Sequence, residues 1–334
     1  MIELRPLAEQ GNADAQVYLG LMFLNGEGVP LDAPKAVQWF RKAAEQNDVS
    51  GQLLLGAAYD QGRGVSADAT EATKWFRKAA EQGDPTAQYN LGEAYLLGQG
   101  VSQDPGEAVK WYRKSGNQGD VNAQATLGQI YFEGRGVPID MTEAEKWLQA
   151  AAEQGHSISQ TNLAVMYRDG RGVKADAVEA VKWFRKAAEQ GIAVAQSNVG
   201  VAYADGKGVA KDPVEAVKWF RKSAEQGDAW GQLNLATMYL NGHGVAKNFE
   251  EAAKYFQMAA EQGQPTAQSI LGSMLVHGRG VPKDSVQAYK WLALADSAGE
   301  SNAKSKLAEL VKDMAPPQID EGKRLAQEWK PKTD

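Results

Sequence analysis

The stretch WFRKAAEQG, Trp75–Gly83, returns letter for letter at Trp183–Gly191, with near-copies at Trp39, Trp111 and Trp219. Trp39, Trp75, Trp111, Trp147, Trp183, Trp219 and Trp291 are separated by thirty-six residues or a multiple of it, and Tyr255 fills the one gap. An internal period of this size marks an array in which each copy is one structural unit. Eight copies cover residues 9–296 without insertion or deletion. The organisation expected is therefore a partial helix over 1–8, eight repeats over 9–296 and capping helices over 297–334.

Composition narrows the function classes. The formal net charge is −6, and charged residues make up 23% of the chain. That balance offers no general attraction to nucleic acid or acidic lipid. No apolar run is long enough for membrane insertion. There is no cysteine, so disulfides, thiolate metal sites and cysteine nucleophiles are excluded.

The third copy shows how a unit is built. Asp84-Pro85 reads as N-cap and first residue of a helix A over Pro85–Leu97, and Gly98 as its left-handed stop. After the turn QGVSQ, Asp104 caps a helix B, with Pro105 at its first position and Glu107 closing a capping box. The same pair recurs at Asp68/Glu71, Asp140/Glu143, Asp176/Glu179 and Asp212/Glu215, while Asp32/Lys35 departs from it and predicts a weaker start. On helix B, Ala108, Trp111, Tyr112 and Ser115 share one face. The tryptophans therefore read as core wedges. Arg77 and Lys78 fall on the opposite, wet face, where Arg77 meets Glu81 four residues on. Gly20, Gly56, Gly92, Gly128, Gly200 and Gly272, with Ala164 and Ala236, hold one mid-helix position of helix A. Glycine there costs about 1 kcal/mol, so a neighbouring helix or a Trp ring is expected to approach closely. A hairpin of this kind buries its apolar face only by stacking on its neighbours. The fold class is all-α, a solenoid of helix-turn-helix repeats.

The unit A-x-x-LG-x-x-Y-x-x-G-x-GV followed by D-x-x-EA-x-x-W-[FY]-RKAAEQG resembles the Sel-1-like repeat family, relatives of the tetratricopeptide repeats, over nearly the whole chain. The resemblance implies a right-handed α/α superhelix with helices A on the concave side. It also implies adaptor or scaffold roles, mostly without catalysis. Bacterial members are often exported, and some act in the envelope, in host contact or as immunity proteins against secreted toxins. A cysteine-rich branch is linked to β-lactam binding, and its paired cysteines are absent here.

Once core and caps are discounted, the variable columns of helix A mark residues free for function. Thr86, Asn90, Glu93 and Leu97 share one face. The Asn90 column reads Tyr18, Leu54, Asn90, Thr126, Asn162, Asn198, Asn234 and Ile270. Asn90, Asn162, Asn198 and Asn234 offer donors and acceptors to a peptide backbone, as asparagines do in the related peptide-clamping repeats. The alternative is that they merely hold neighbouring turns. The Leu97 column supplies Glu133, Asp169, Asp205 and Asn241, which makes this face acidic and suits a basic or acid-tolerant segment. Trp230 stands in the Thr86 column, outside the regular series. It is either an exposed hot-spot residue or a ring folded over a seam between repeats.

No residue pattern in the sequence points to an enzyme. His156, His243 and His277 lack metal-ligand spacing. The recurrent G-x-G-V, with Arg63, Arg135, Arg171, Lys207 or Arg279 in its middle, follows a helix rather than a strand and reads as a helix stop, with a basic ridge as the alternative. No cofactor is implied. The partner expected is a protein or peptide, such as a toxin or envelope protein, held by a monomer. An immunity or inhibitor role is the alternative.

Residues 297–314 read as a ninth, polar helix A. The stripe Ile319, Gly322, Leu325, Ala326 and Trp329 reads as a closing helix. Met1–Gln10 aligns with half a helix B, with Glu3 in the place of Trp39. This suggests further natural sequence upstream, with a signal peptide and a periplasmic or secreted location. If Met1 is the natural start, the cytoplasm is favoured instead.

Overall fold

The computed structural model describes residues 4–332. These form nineteen α-helices and no strand. After α1 (Leu4–Glu9), helices A and B alternate. The A helices are α2 (Ala13–Asn25), α4 (Val49–Gln61), α6 (Pro85–Leu97), α8 (Val121–Glu133), α10 (Ser157–Asp169), α12 (Ala193–Asp205), α14 (Ala229–Asn241) and α16 (Pro265–His277). The B helices are α3 (Ala33–Glu45), α5 (Ala69–Glu81), α7 (Pro105–Asn117), α9 (Met141–Glu153), α11 (Ala177–Glu189), α13 (Pro213–Glu225), α15 (Phe249–Glu261) and α17 (Ser285–Ser297). Two further helices follow, the short α18 (Ala303–Val311) and the full-length α19 (Pro316–Glu328). Contacts group the chain into two compact units, Met1–Ser159 and Gln160–Asp334.

Within each unit the tryptophans are wedges. Trp111 packs on Ala79 and Ala80 at the end of the preceding helix B and on Ala87 and Leu91 of its own helix A. Burying such a ring is worth roughly 3 kcal/mol, and it ties successive repeats together. Trp39 stays half-buried because α1 gives it only a short partner, through Leu4 and Ala8. The rings bring a cost: the buried Nε1 atoms of Trp75, Trp111 and Trp219 lack a hydrogen-bond partner. Trp147 avoids it by donating to Glu143 Oε2 at 2.9 Å.

The Arg-Lys pair is not a free, wet face. Arg77 Nη2 donates to Tyr95 Oη at 2.8 Å rather than meeting Glu81, and Arg41–Tyr59, Arg113–Tyr131 and Arg221–Tyr239 repeat the bond. Each such bond joins a helix B to helix A of the next repeat. Lys78 lies over the Trp75 ring at 4.3 Å and Lys114 over Trp111 at 3.6 Å, within cation–π range. These pairs lid the core and lock its neighbour, so a pattern that looks solvent-facing on one helix is structural in the array.

A second tie was not anticipated from the periodicity. One glutamine recurs in every helix A, and another ends each helix B up to α15. Gln88 is buried; its Nε2 donates to Ala80 O at 3.1 Å, and its Oε1 accepts from Gln118 Nε2 at 2.9 Å. The side-chain bond recurs as Gln46–Gln16, Gln82–Gln52, Gln154–Gln124, Gln190–Gln160, Gln226–Gln196 and Gln262–Gln232. Three successive helices are thereby joined through one buried amide. The last copy has Ala298 where the others have this glutamine.

Other local expectations are corrected in detail. The small mid-helix residue faces not Trp but the residue after it: a Cβ on Gly92 would lie 2.8 Å from Tyr112 Cδ1, and one on Gly200 2.5 Å from Phe220 Cε1. The caps form on one side only. Asp104 Oδ1 accepts from Glu107 N at 2.9 Å, but the Asp104 N–H goes to Tyr95 O and Glu107 turns to Lys110. The box's return bond is thus replaced by one to the preceding helix. Asp32 caps α3 through Lys35 N at 3.0 Å despite the missing glutamate. Gly100, at φ 68°, lies where a Cβ would be 2.1 Å from Ala69 O, so the turn rests on the preceding helix B.

At the C-terminus α17 ends at Ser297, as the other B helices end at their equivalent residue, and α18 starts at Ala303 and stops at Val311, shorter than the 297–314 expected. Helix α19 presses Gly322 against Tyr289, and Trp329 meets Trp291 edge-on at 6.1 Å. Lys332 then joins the end of α15, its N–H to Glu261 O at 2.8 Å and its Nζ to Glu261 Oε2 at 2.6 Å. The tail covers Trp291 where Leu294 replaces the usual lysine. The position of Glu3 lies outside the described residues.

Gln88→Ala leaves one Gln118 N–H without its partner and removes the side-chain bond to the Ala80 carbonyl, which keeps its bond from Gly83 N, and a loss of about 1–3 kcal/mol is expected in urea unfolding. Exposed Gln149→Ala is expected to stay within about 0.5 kcal/mol. Trp329→Ala is expected to speed amide exchange over residues 265–299 and to leave residues 13–48 unchanged, because repeats couple mainly to their neighbours.

Candidate binding face

Helices A leave one face outside the core, and its columns hold the residues singled out for binding. In the second unit, Val165 and Arg168 of α10, Val194, Ser197, Asn198 and Val201 of α12, and Trp230 and Asn234 of α14, with Asp228, line a hollow of about 480 Å³. Trp230 is 59% exposed, not folded over a seam. The structure thus brings together three of the residues read from sequence: Trp230, Asn198 and Asn234. The valines and Arg168 were missed, although Val194 shares the Thr86 column and Val201 the Glu93 column. Variation within a column was the available signal, and an aliphatic residue in a polar column was its clearest form.

The asparagines are not equivalent. Asn198 is spent internally: its Nδ2 donates to Val194 O at 2.8 Å, and its Oδ1 accepts from Arg168 Nη1 at 2.8 Å. Among the described residues, the side chains of Asn90, Asn162 and Asn234 make no hydrogen bond. Asn162 does not line the hollow. Asn90 belongs to a separate hollow of about 300 Å³ in the first unit, with Asp60, Phe76, Tyr89 and Glu93. There Glu93 Oε1 accepts from the Tyr112 hydroxyl. Burial, followed by that bond and the glutamate's charge, pushes the Tyr112 hydroxyl's pKa well above its ordinary value.

The expected acidity of this face is largely cancelled. Asp169 accepts two bonds from Arg168, at 2.7 and 2.9 Å. The Arg168 hydrogen bonding holds the Asp169 carboxyl below its usual range against the opposing effect of burial, with the charges of Arg168 and Arg171 assisting. Asp205 pairs with Lys207 at 3.3 Å, and Glu133 with Arg135 at 3.7 Å. In these two turns the basic residue of G-x-G-V offsets the acid two residues before it, whereas Asp169 is held by Arg168 of its own helix and Arg63 and Arg279 follow Gln61 and His277 rather than an acid. Asn241 is exposed at the end of α14. The first unit carries a further, mostly apolar hollow of about 360 Å³ around Tyr18, Leu21, Leu53 and Leu54.

The Sel1 repeat model matches residues 13–48, 49–84, 85–120, 121–156, 157–192, 193–228, 231–264 and 265–299. The chain belongs to the Sel1 repeat family. A Sel1 repeat protein from Oxalobacter formigenes is 35% identical, with 93% of this chain and 90% of that one covered and a TM-score of 0.69. A protective antigen present in uropathogenic Escherichia coli strains, displaying this repeat fold, is 32% identical, with 97% and 85% covered and a TM-score of 0.70. Comparison with curated proteins gives no match. Sel1 repeats are typical scaffolds for protein–protein interaction.

Among the described residues of this Sel1 repeat protein, no group of three or more His, Asp or Glu residues is arranged to hold a metal ion. No described helix is long and apolar enough to cross a membrane. His156 has a local role instead. It stands just before α10, where four other copies carry a capping Asp (Asp48, Asp84, Asp120 and Asp228), and its Nδ1 accepts the Ser159 N–H at 3.2 Å and lies 2.9 Å from Ser159 Oγ. Burial lowers its pKa from the ordinary 6.5. The neutral ring is the form that can accept the Ser159 N–H at Nδ1. Its contribution to stability is complete above about pH 6.5 and is lost as pH falls through the lowered native value. The urea midpoint is expected to drop between pH 7.5 and 5.5 by more in the wild type than in His156→Asp, whose cap titrates far below that window.

Proposed function

We propose that this chain is a non-catalytic interaction scaffold that holds a protein or peptide segment on the face formed by its A helices. The observation that carries the reading is Trp230, a large aromatic ring exposed at a 480 Å³ hollow beside the unpaired amide of Asn234. The array's regular tryptophans are core wedges, five of them almost wholly buried from Trp75 to Trp219, whereas Trp230 contributes nothing comparable to the core. Aromatic residues in such settings supply much of the energy of an interface. A partner with a standard footprint of about 800 Å² would extend beyond this hollow to neighbouring repeats. Asp169, Asp205 and Asn241 then belong to the rim, and Asn162 is a further polar contact on the same face.

The test is capture from a lysate of the source organism by immobilised wild type and by a Trp230→Ala/Asn234→Ala variant, compared by mass spectrometry. At least one protein is expected to be retained by the wild type and lost by the variant, with far-UV circular dichroism unchanged. Equal capture by both would remove this face from consideration. If the captured protein is an enzyme that the chain inhibits, the scaffold is an inhibitor in the narrower sense.

A further inference from the structure

We infer that the hollow around Trp230 receives an uncharged, extended stretch of polypeptide, which inserts one aromatic or branched aliphatic side chain. The inference rests on the reading of this face as the binding surface and specifies what that surface selects.

The first reason is charge. Arg168 gives Nε and Nη2 to Asp169 and Nη1 to Asn198. Asp228 accepts from Gly231 N at 2.6 Å and from Ser223 Oγ at 2.9 Å. Asp205, at the rim, is held by Lys207. A lysine or arginine entering the hollow would lose water without meeting a free carboxylate, and an acidic side chain would find Arg168 already engaged.

The second reason is the lining. Val165, Val194, Val201 and the Trp230 ring form the walls, and Val194 is 52% exposed. An apolar side chain covers surface that is otherwise in water.

The third reason is Asn234. Its amide presents a donor and an acceptor together, the complement of one peptide unit. A helical segment has its peptide groups bonded internally and would leave that amide unpaired under the partner. An extended segment sends alternate side chains to opposite sides, so one enters the hollow while its backbone meets Asn234.

The experiment is panning of a random heptapeptide phage library on the full chain, with Trp230→Ala as counter-selection, followed by anisotropy titration of the enriched peptides. The expected consensus is one aromatic or branched aliphatic residue flanked by uncharged ones. Affinity should fall on the order of tenfold or more in Trp230→Ala and about fivefold in Asn234→Ala. Arg168→Ala frees Asp169 and is expected to raise the relative affinity of a lysine-substituted version of the same peptide by about tenfold.

Enriched peptides that bind Trp230→Ala as well as wild type would overturn the reading of the face itself. Peptides that depend on Trp230 yet share a lysine, arginine or carboxylate would leave that reading standing and overturn this inference. An absence of enrichment would overturn it as well.

Discussion

A buried amide holds this array together. Each helix A brings a glutamine into the seam with the preceding repeat, where water cannot serve it. Removing an amide from water without partners costs several kcal/mol, so the side chain is tolerated only because both ends are engaged. Gln88 shows the arrangement, with its N–H on Ala80 and its carbonyl oxygen under Gln118. Apolar packing supplies the driving force, but it is non-directional. The amide adds register, because a slip of one residue along either helix would strand its donor and acceptor together.

Around that seam the polar surface is also committed. Arginines of the B helices reach forward to tyrosine hydroxyls of the next repeat, and lysines roof the indoles. Glu133 and Asp205, at the ends of A helices, are balanced by the basic residue of the following turn. Most charges therefore have a local reason to be where they are. What stands out is the small remainder that has none: an exposed tryptophan, an amide without a partner and a few valines on an otherwise polar face.

Much of this was legible in the letters, and the parts that were not have physical causes. The thirty-six-residue period, the helix starts at Asp84 and Asp104 and the stop at Gly98 follow from local rules, and the helices lie where those rules put them. Burial of Trp75 and Trp111 followed from the spacing of one helix face. The role of Arg77 did not, because its partner Tyr95 is eighteen residues away on another helix. The glutamines were missed for the same reason: a polar residue that never varies looks like surface habit until its neighbour is placed. At the binding face, sequence identified Trp230, Asn198 and Asn234 as members of one face. It did not show that Asn198 is already engaged and Asn234 is not, since Arg168, the residue that separates them, lies one repeat away.

Ala298 has a consequence for how such proteins change over generations. Every glutamine bond reaches no farther than the adjoining copy, so a whole thirty-six-residue cassette can be duplicated or deleted upstream of it without leaving an unmatched seam. At Ala298 the chain lacks the donor that would serve Gln268 as Gln262 serves Gln232, and α19 and the tail cover that end. Recombination can therefore adjust how many variable positions are displayed while the terminator stays in place. Adding a repeat directly after α17, by contrast, would have to change Ala298 and displace the contacts of α19 and Trp329 together.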